Sequence, residues 1–183
     1  MIKSIRFLSF LLTGLSVLSI SCNKNDIDTS SPQLNVIPVD FSKLESSIAF
    51  GQDLSADQKS PAIEYILDNA NEDVVSCTDG YIDQILDNDG FSDVEIHVKP
   101  TKNSDWTIIY DHLKNVTLTK GDFVNVGEIL GEVGDGNRTE LQLNQGNGKN
   151  AIAHCPLDFS TTAFTNAHLN FKEEWCLTKT VTP

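Results

Sequence analysis

The sequence predicts an all-β domain, a compact sandwich or barrel of short strands, with one short helical segment near the C-terminal end. Three observations carry that prediction. Residues 106–133 read WTIIYDHLKNVTLTKGDFVNVGEILGEV, apolar and β-branched runs broken by turn residues. Glycine recurs at 121, 127, 131, 134 and 136, a density that marks tight turns and close strand approach, not helix. Residues 93–99 alternate Val94, Ile96 and Val98 with Asp93, Glu95, His97 and Lys99, so the first set is expected in the core and the second, His97 included, in solvent.

Taken in order, Ser42–Ser47 is expected to form a short helical turn, and the polar stretch Asp53–Pro61 a loop. Ala62–Leu67 has strand character, Asp68–Asp73 is turn-like, and Val74–Cys77 and Tyr81–Leu86 are strands around Thr78-Asp79-Gly80. Asp87-Asn88-Asp89-Gly90 is a strong hairpin turn, and Pro100–Asp105 another turn. Trp106–Tyr110 reads as a buried strand. Asn115–Thr119 reads as a short one with Val116 and Leu118 inward, before the turn Lys120-Gly121-Asp122. Phe123–Glu128, Ile129–Val133 and Glu140–Leu143 continue the strands, and Ala151–Ala153 is expected to be the last. Ser160–Trp175 is read as helical, although Asn166 and Asn170 weaken that reading.

The formal charge of −13 over 183 residues argues against nucleic acid, whose phosphates need Lys and Arg. Hydrophobic content of 39% is enough for one real core. Met1–Ser21 reads as a targeting segment: Lys3 and Arg6 precede an apolar run, Phe7–Ile20, that is short for a membrane helix. Ser21-Cys22 then resembles a bacterial lipoprotein cleavage site, with Cys22 lipidated and the chain anchored to a membrane. Residues 22–46 are expected to be mostly a tether, with Val36–Val39 docking on the domain as an edge strand. Cys77, Cys155 and Cys176 remain, and an exported chain meets an oxidising compartment. Three pairings are open. Cys77 reads as a small buried hydrophobe, and Cys155–Cys176 is preferred because it would tie the C-terminal segment back.

Tyr110-x-His112-Leu113, followed by Gly121-x-x-Val124-x-x-Gly127-x-x-Leu130-Gly131-x-Val133-Gly134, resembles the lysostaphin/LytM-type zinc metallopeptidases. Val74-x-Ser76-x-x-Asp79-Gly80-x-Ile82, Ala49-Phe50-Gly51 and Pro156-Leu157-Asp158-Phe159 extend the resemblance over residues 47–159. It implies the duplicated hybrid motif of that family, a barrel-like β-sandwich, and a place in the cell envelope. It leaves 160–183 as a C-terminal extension. The glycine scaffold also occurs in biotinyl-like hybrid domains, so it carries fold and not chemistry.

In the resembling enzymes an upstream His-x-x-x-Asp gives two zinc ligands. A downstream His-x-His gives a catalytic histidine and the third ligand, and the histidine of Tyr-x-His-Leu assists. Here Ser60 or Pro61 stands at the upstream His place and Glu64 or Tyr65 at the Asp place. Glu140 and Gln142 replace the downstream pair, and only His112 matches. Glutamine is a poor zinc ligand, so the zinc site is expected to be lost and no cofactor is expected. The expected groove is lined by Glu64, Tyr110, His112, Glu140 and Gln142; His112 is placed either to donate a hydrogen bond to a bound peptide or to Glu140, or only to fix the turn Asp111–Leu113. His168 and the adjacent His154-Cys155 pair are read as non-catalytic.

Three functions follow. One is an inactive LytM-like lipoprotein that binds peptidoglycan or a cell-wall hydrolase. Another is an active metallohydrolase with rearranged ligands His112, Glu64 and Glu140. The last is a structural or adaptor envelope lipoprotein. The first is favoured.

Overall fold

A computed structural model describes residues 26–69 and 71–183. The expected signal segment 1–21 and the lipidation candidate Cys22 lie outside the described residues. Among those described, the strands are β1 (Leu44–Ile48), β2 (Ile63–Leu67), β3 (Asp73–Val75), β4 (Gly80–Asp87), β5 (Val94–Lys99), β6 (Trp106–Lys114), β7 (Phe123–Val124), β8 (Ile129–Val133), β9 (Arg138–Gln145), β10 (Ile152–His154) and β11 (Thr180–Val181). One α-helix, α1 (Thr162–Phe171), lies between β10 and β11. Thr161 caps it, accepting from the Phe164 amide.

The strands form one antiparallel network rather than two separate sheets, with the main order β1-β2-β9-β6-β5-β4-β7. It branches at β6, whose last residues Leu113 and Lys114 pair with β8 while the rest pairs with β5 and β9. The period of two sorts the residues. Ile63, Tyr65 and Leu67 of β2, Ile108 and Tyr110 of β6, Ile96 and Val98 of β5, and Leu141 and Leu143 of β9 are all fully buried in one core. Their neighbours in sequence, Glu64, Thr107, Ile109, Glu140, Gln142 and Asn144, line the opposite face. Burying the aliphatic side chains contributes roughly 1.5–3 kcal/mol each.

Several expectations are corrected. Asn115–Thr119 turns Val116 and Leu118 toward the core, but Asn115 takes φ +55° and the segment has no ladder partner, so it is no strand. The expected helical turn shrinks to one 3₁₀ turn, Phe41–Lys43, before β1. The last strand is β11, which pairs with β10. Cys77 lies just past β3 rather than in it, buried and free. The segment expected as a tether lies against the body from Asp28 on, with Leu34 and Val39 buried. It docks by irregular bonds, Asn35 N to Cys77 O and Val75 N to Pro38 O, and not as an edge strand. At the other end Cys155 and Cys176 form a disulfide. Trp175 and Phe41 pack with Tyr65 and His168 over the end of β2.

Candidate functional site

Register brings three carboxylates side by side. Glu64 of β2 lies opposite Glu140 of β9, and Glu140 lies opposite Asp111 of β6. Like charges directly across a ladder destabilise it. Arg138, two residues before Glu140 on the same face, is the compensating charge. Its Nη1 donates to Glu64 Oε1 at 3.2 Å.

The other half of that guanidinium meets His112. In a regular strand His112 would point into the core with Ile108 and Tyr110. Instead β6 bulges, three steps from Tyr110 to Leu113 facing two on β5, and His112 takes φ +56°. A bulge re-aims a side chain. His112 therefore lies beside Asp111 and Glu140, its Nε2 3.9 Å from Asp111 Oδ2 and 3.8 Å from Glu140 Oε1. Gly134 makes the bend possible. A Cβ there would sit 2.6 Å from His112 O and 2.5 Å from Asp93 Oδ2.

The tautomer of His112 follows from its partners. Arg138 Nη2 lies 2.6 Å from Nε2, and a guanidinium has only donors, so Nε2 accepts. Nδ1 then carries the proton and donates to Asp93 at 3.0 Å. Both ring nitrogens of a side chain only 5% exposed are used inside the protein. Asp93 is 2% exposed. Burial works against its charge, but donors from Asn88, the Asp135 amide and His112 outweigh that and hold its carboxyl below the usual carboxylate range.

Glu140 is the group left out of these pairs. Burial first, then the carboxylates of Glu64 and Asp111, push its carboxyl up to about 7. Among the described residues Asp111, His112 and Glu140 are the group whose ligand-type atoms, all within 4.8 Å, could hold a metal ion.

The expected groove residues are thus partly gathered. Glu64, His112 and Glu140 converge. Gln142 lies one step along on the same face, and its amide donates to Asn144 Oδ1 at 2.9 Å. Tyr110 is corrected: it points into the core, where its hydroxyl accepts from the Cys77 amide at 2.7 Å. The expected donation from His112 to a ligand is corrected too, because its one N–H is held by Asp93. Glu64, not Tyr65, faces the site, since Tyr65 is buried on the core side against His168. Asp93, expected in solvent, is buried because it precedes β5, where the alternation no longer applies. His97, expected in solvent, is only 17% exposed in its side chain and bonds Glu95. Sequence reasoning missed Arg138. Its signal was available, a cation two residues before Glu140 on a strand.

Further along the same face is a cavity of about 360 Å³, walled by His97, Lys99, Thr107, Ile109 and Asn144 among others. Site and cavity together define an all-β domain with a polar cavity and a histidine–guanidinium–carboxylate cluster on one face of the sheet.

Solved structures of the same shape place this fold. A chain of the SpoIIQ–SpoIIIAH pore forming complex is 16% identical with a TM-score of 0.57, over 76% of this chain and 98% of that one. Csd3 of Helicobacter pylori is 18% identical with a TM-score of 0.56, over 78% of this chain and 40% of that one. The antimicrobial peptidase lysostaphin of Staphylococcus simulans is 17% identical with a TM-score of 0.50, over 64% of this chain and 49% of that one. The chain therefore spans less than half the length of those Csd3 and lysostaphin chains. No family model matches the sequence, and no curated protein matches it either. The chain has the LytM-type peptidase fold.

The residues present do not fit the zinc of that class. Ser60, at the upstream histidine place, is buried and donates its hydroxyl to Ala62 O at 2.8 Å. Gln142 is an amide, and the lone pair of His112 Nε2 is taken by Arg138.

Proposed function

We propose that this chain is a non-catalytic LytM-fold module of the bacterial cell envelope that holds peptidoglycan in its groove. The observation that supports it best is the guanidinium of Arg138, joined to both Glu64 and His112 where a hydrolase needs open coordination positions. A binder needs no such opening, only a shaped groove with a few polar groups, and Thr107, Gln142 and Asn144 supply amides and hydroxyls suited to sugar or peptide. A protein partner such as a cell-wall hydrolase is a second reading, favoured by the likeness to a chain from a two-protein complex. Lipid on Cys22 would anchor the module to a membrane, which mass spectrometry of the native N-terminus reads.

The test is co-sedimentation of the purified full chain with insoluble peptidoglycan, alongside Gln142→Ala and Thr107→Val. The reading expects the wild type to pellet, the variants to pellet at least threefold less, and the glycan to stay uncut. Retention of wild type and variants alike in the supernatant refutes it and leaves the protein partner to be sought by co-purification.

A further inference from the structure

Among the described residues, away from the Arg138 cluster, cations gather around a second cavity. Acidic residues outnumber basic ones 26 to 13, yet three of those 13, Lys99, Lys102 and Lys120, wall a single cavity of about 210 Å³. They come from separate elements: Lys99 ends β5, Lys102 sits in the turn before β6, and Lys120 in the turn before β7. Tyr81 joins them. It pairs across the sheet with Lys99 on one side and Phe123 on the other, and its ring lies edge-on to Phe123 with centroids 5.0 Å apart. The Lys102 ammonium rests 4.8 Å from the centroid of that held ring, which fixes its position.

One carboxylate shares the cavity. Asp83 lies 3.7 Å from Lys99 and offsets one charge. Asp122, next to the cavity wall, turns its carboxylate onto Thr119 instead. Lys102 and Lys120 are exposed and form no ion pair among the described residues. Two uncompensated ammonium groups and an aromatic wall remain, in a protein that otherwise repels anions.

We propose that this cavity binds an oxyanion group, a phosphate or a carboxylate, on a polar ligand. Ammonium groups bind such groups as point charges from several directions, which suits three lysines on three loops and strand ends. Asp83 and Lys99 also wall the larger cavity on the sheet face, so the two cavities are neighbours. A ligand lying in the groove with an acidic substituent would end here. The anion site itself rests on its own residues, whatever fills the groove.

The test is an NMR titration of the full chain with inorganic phosphate, acetate and chloride at matched ionic strength, following the amides of Tyr81 and Gly121. Saturable shifts are expected with phosphate or with acetate, and the tighter of the two identifies the source. Lys102→Ala with Lys120→Ala should weaken that binding at least tenfold, while Lys149→Ala, on another exposed turn, leaves it unchanged. Shifts that chloride reproduces, or that survive the double substitution, overturn the proposal. A failed titration leaves the peptidoglycan reading standing, and failed co-sedimentation leaves this one.

Discussion

Arg138 holds apart groups that would otherwise repel or bind a cation. Remove its guanidinium and Glu64, Glu140 and Asp111 face one another with the Nε2 lone pair of His112 free. Arg138→Ala is therefore expected to gain divalent-cation affinity at least tenfold over the wild type, read by calorimetry with zinc. Equal affinity would mean that the guanidinium is not what closes the site. Glu140 gives a pH signature. Its carboxyl titrates at about 7 in the fold against 4.5 as a free side chain, so the native state holds the proton more tightly. That stabilisation is complete below about pH 4.5 and is lost as pH rises through 7. Glu140→Gln should match the wild type at pH 5 and exceed it at pH 8 by on the order of 2 kcal/mol in urea unfolding. A difference that does not change with pH contradicts this. At this scale the sequence was least legible. The left-handed φ of His112 and the burial of Asp93 depend on a bulge and a strand end that no spacing announces. A search framed around metal ligands also passes over an arginine.

The strands were legible because a period of two writes itself in apolar residues, as in Ile96 and Val98 or Leu141 and Leu143. Asn115–Thr119 carries the same pattern without a partner strand, so composition alone misread it. The β6 bulge and the branch to β8 are pairing decisions, which no single segment contains. The C-terminal elements show what pairing does for stability. α1 lays His168 on the core, where Nδ1–H donates to Phe164 O and Nε2 accepts from the Tyr65 hydroxyl. Burial, the largest influence, lowers its pKa to about 4. The disulfide closes a separation of 21 residues around this helix. Reduction should lower stability by about 3 kcal/mol, and hydrogen exchange should rise first in residues 160–183 while β2, β6 and β9 stay protected. Uniform loss of protection would mean that the segment is part of the sheet's own cooperative unit.

At the scale of the described fold, one antiparallel sheet buries its core on one face and carries a polar cavity and a guanidinium cluster on the other, with a lysine cavity beside them. The fold matches proteins under 20% identical, which shows how much of it is held by strand pattern and glycine placement rather than by site residues. The chemistry is a separate matter, decided by a few side chains on that scaffold. The proposed function turns on Arg138, bonded to Glu64 and His112, closing that cluster to metal. Elemental analysis of the purified full chain after dialysis tests it most directly. The account predicts well under one zinc per chain, with no gain on adding zinc in modest excess. Stoichiometric zinc that survives dialysis would contradict it.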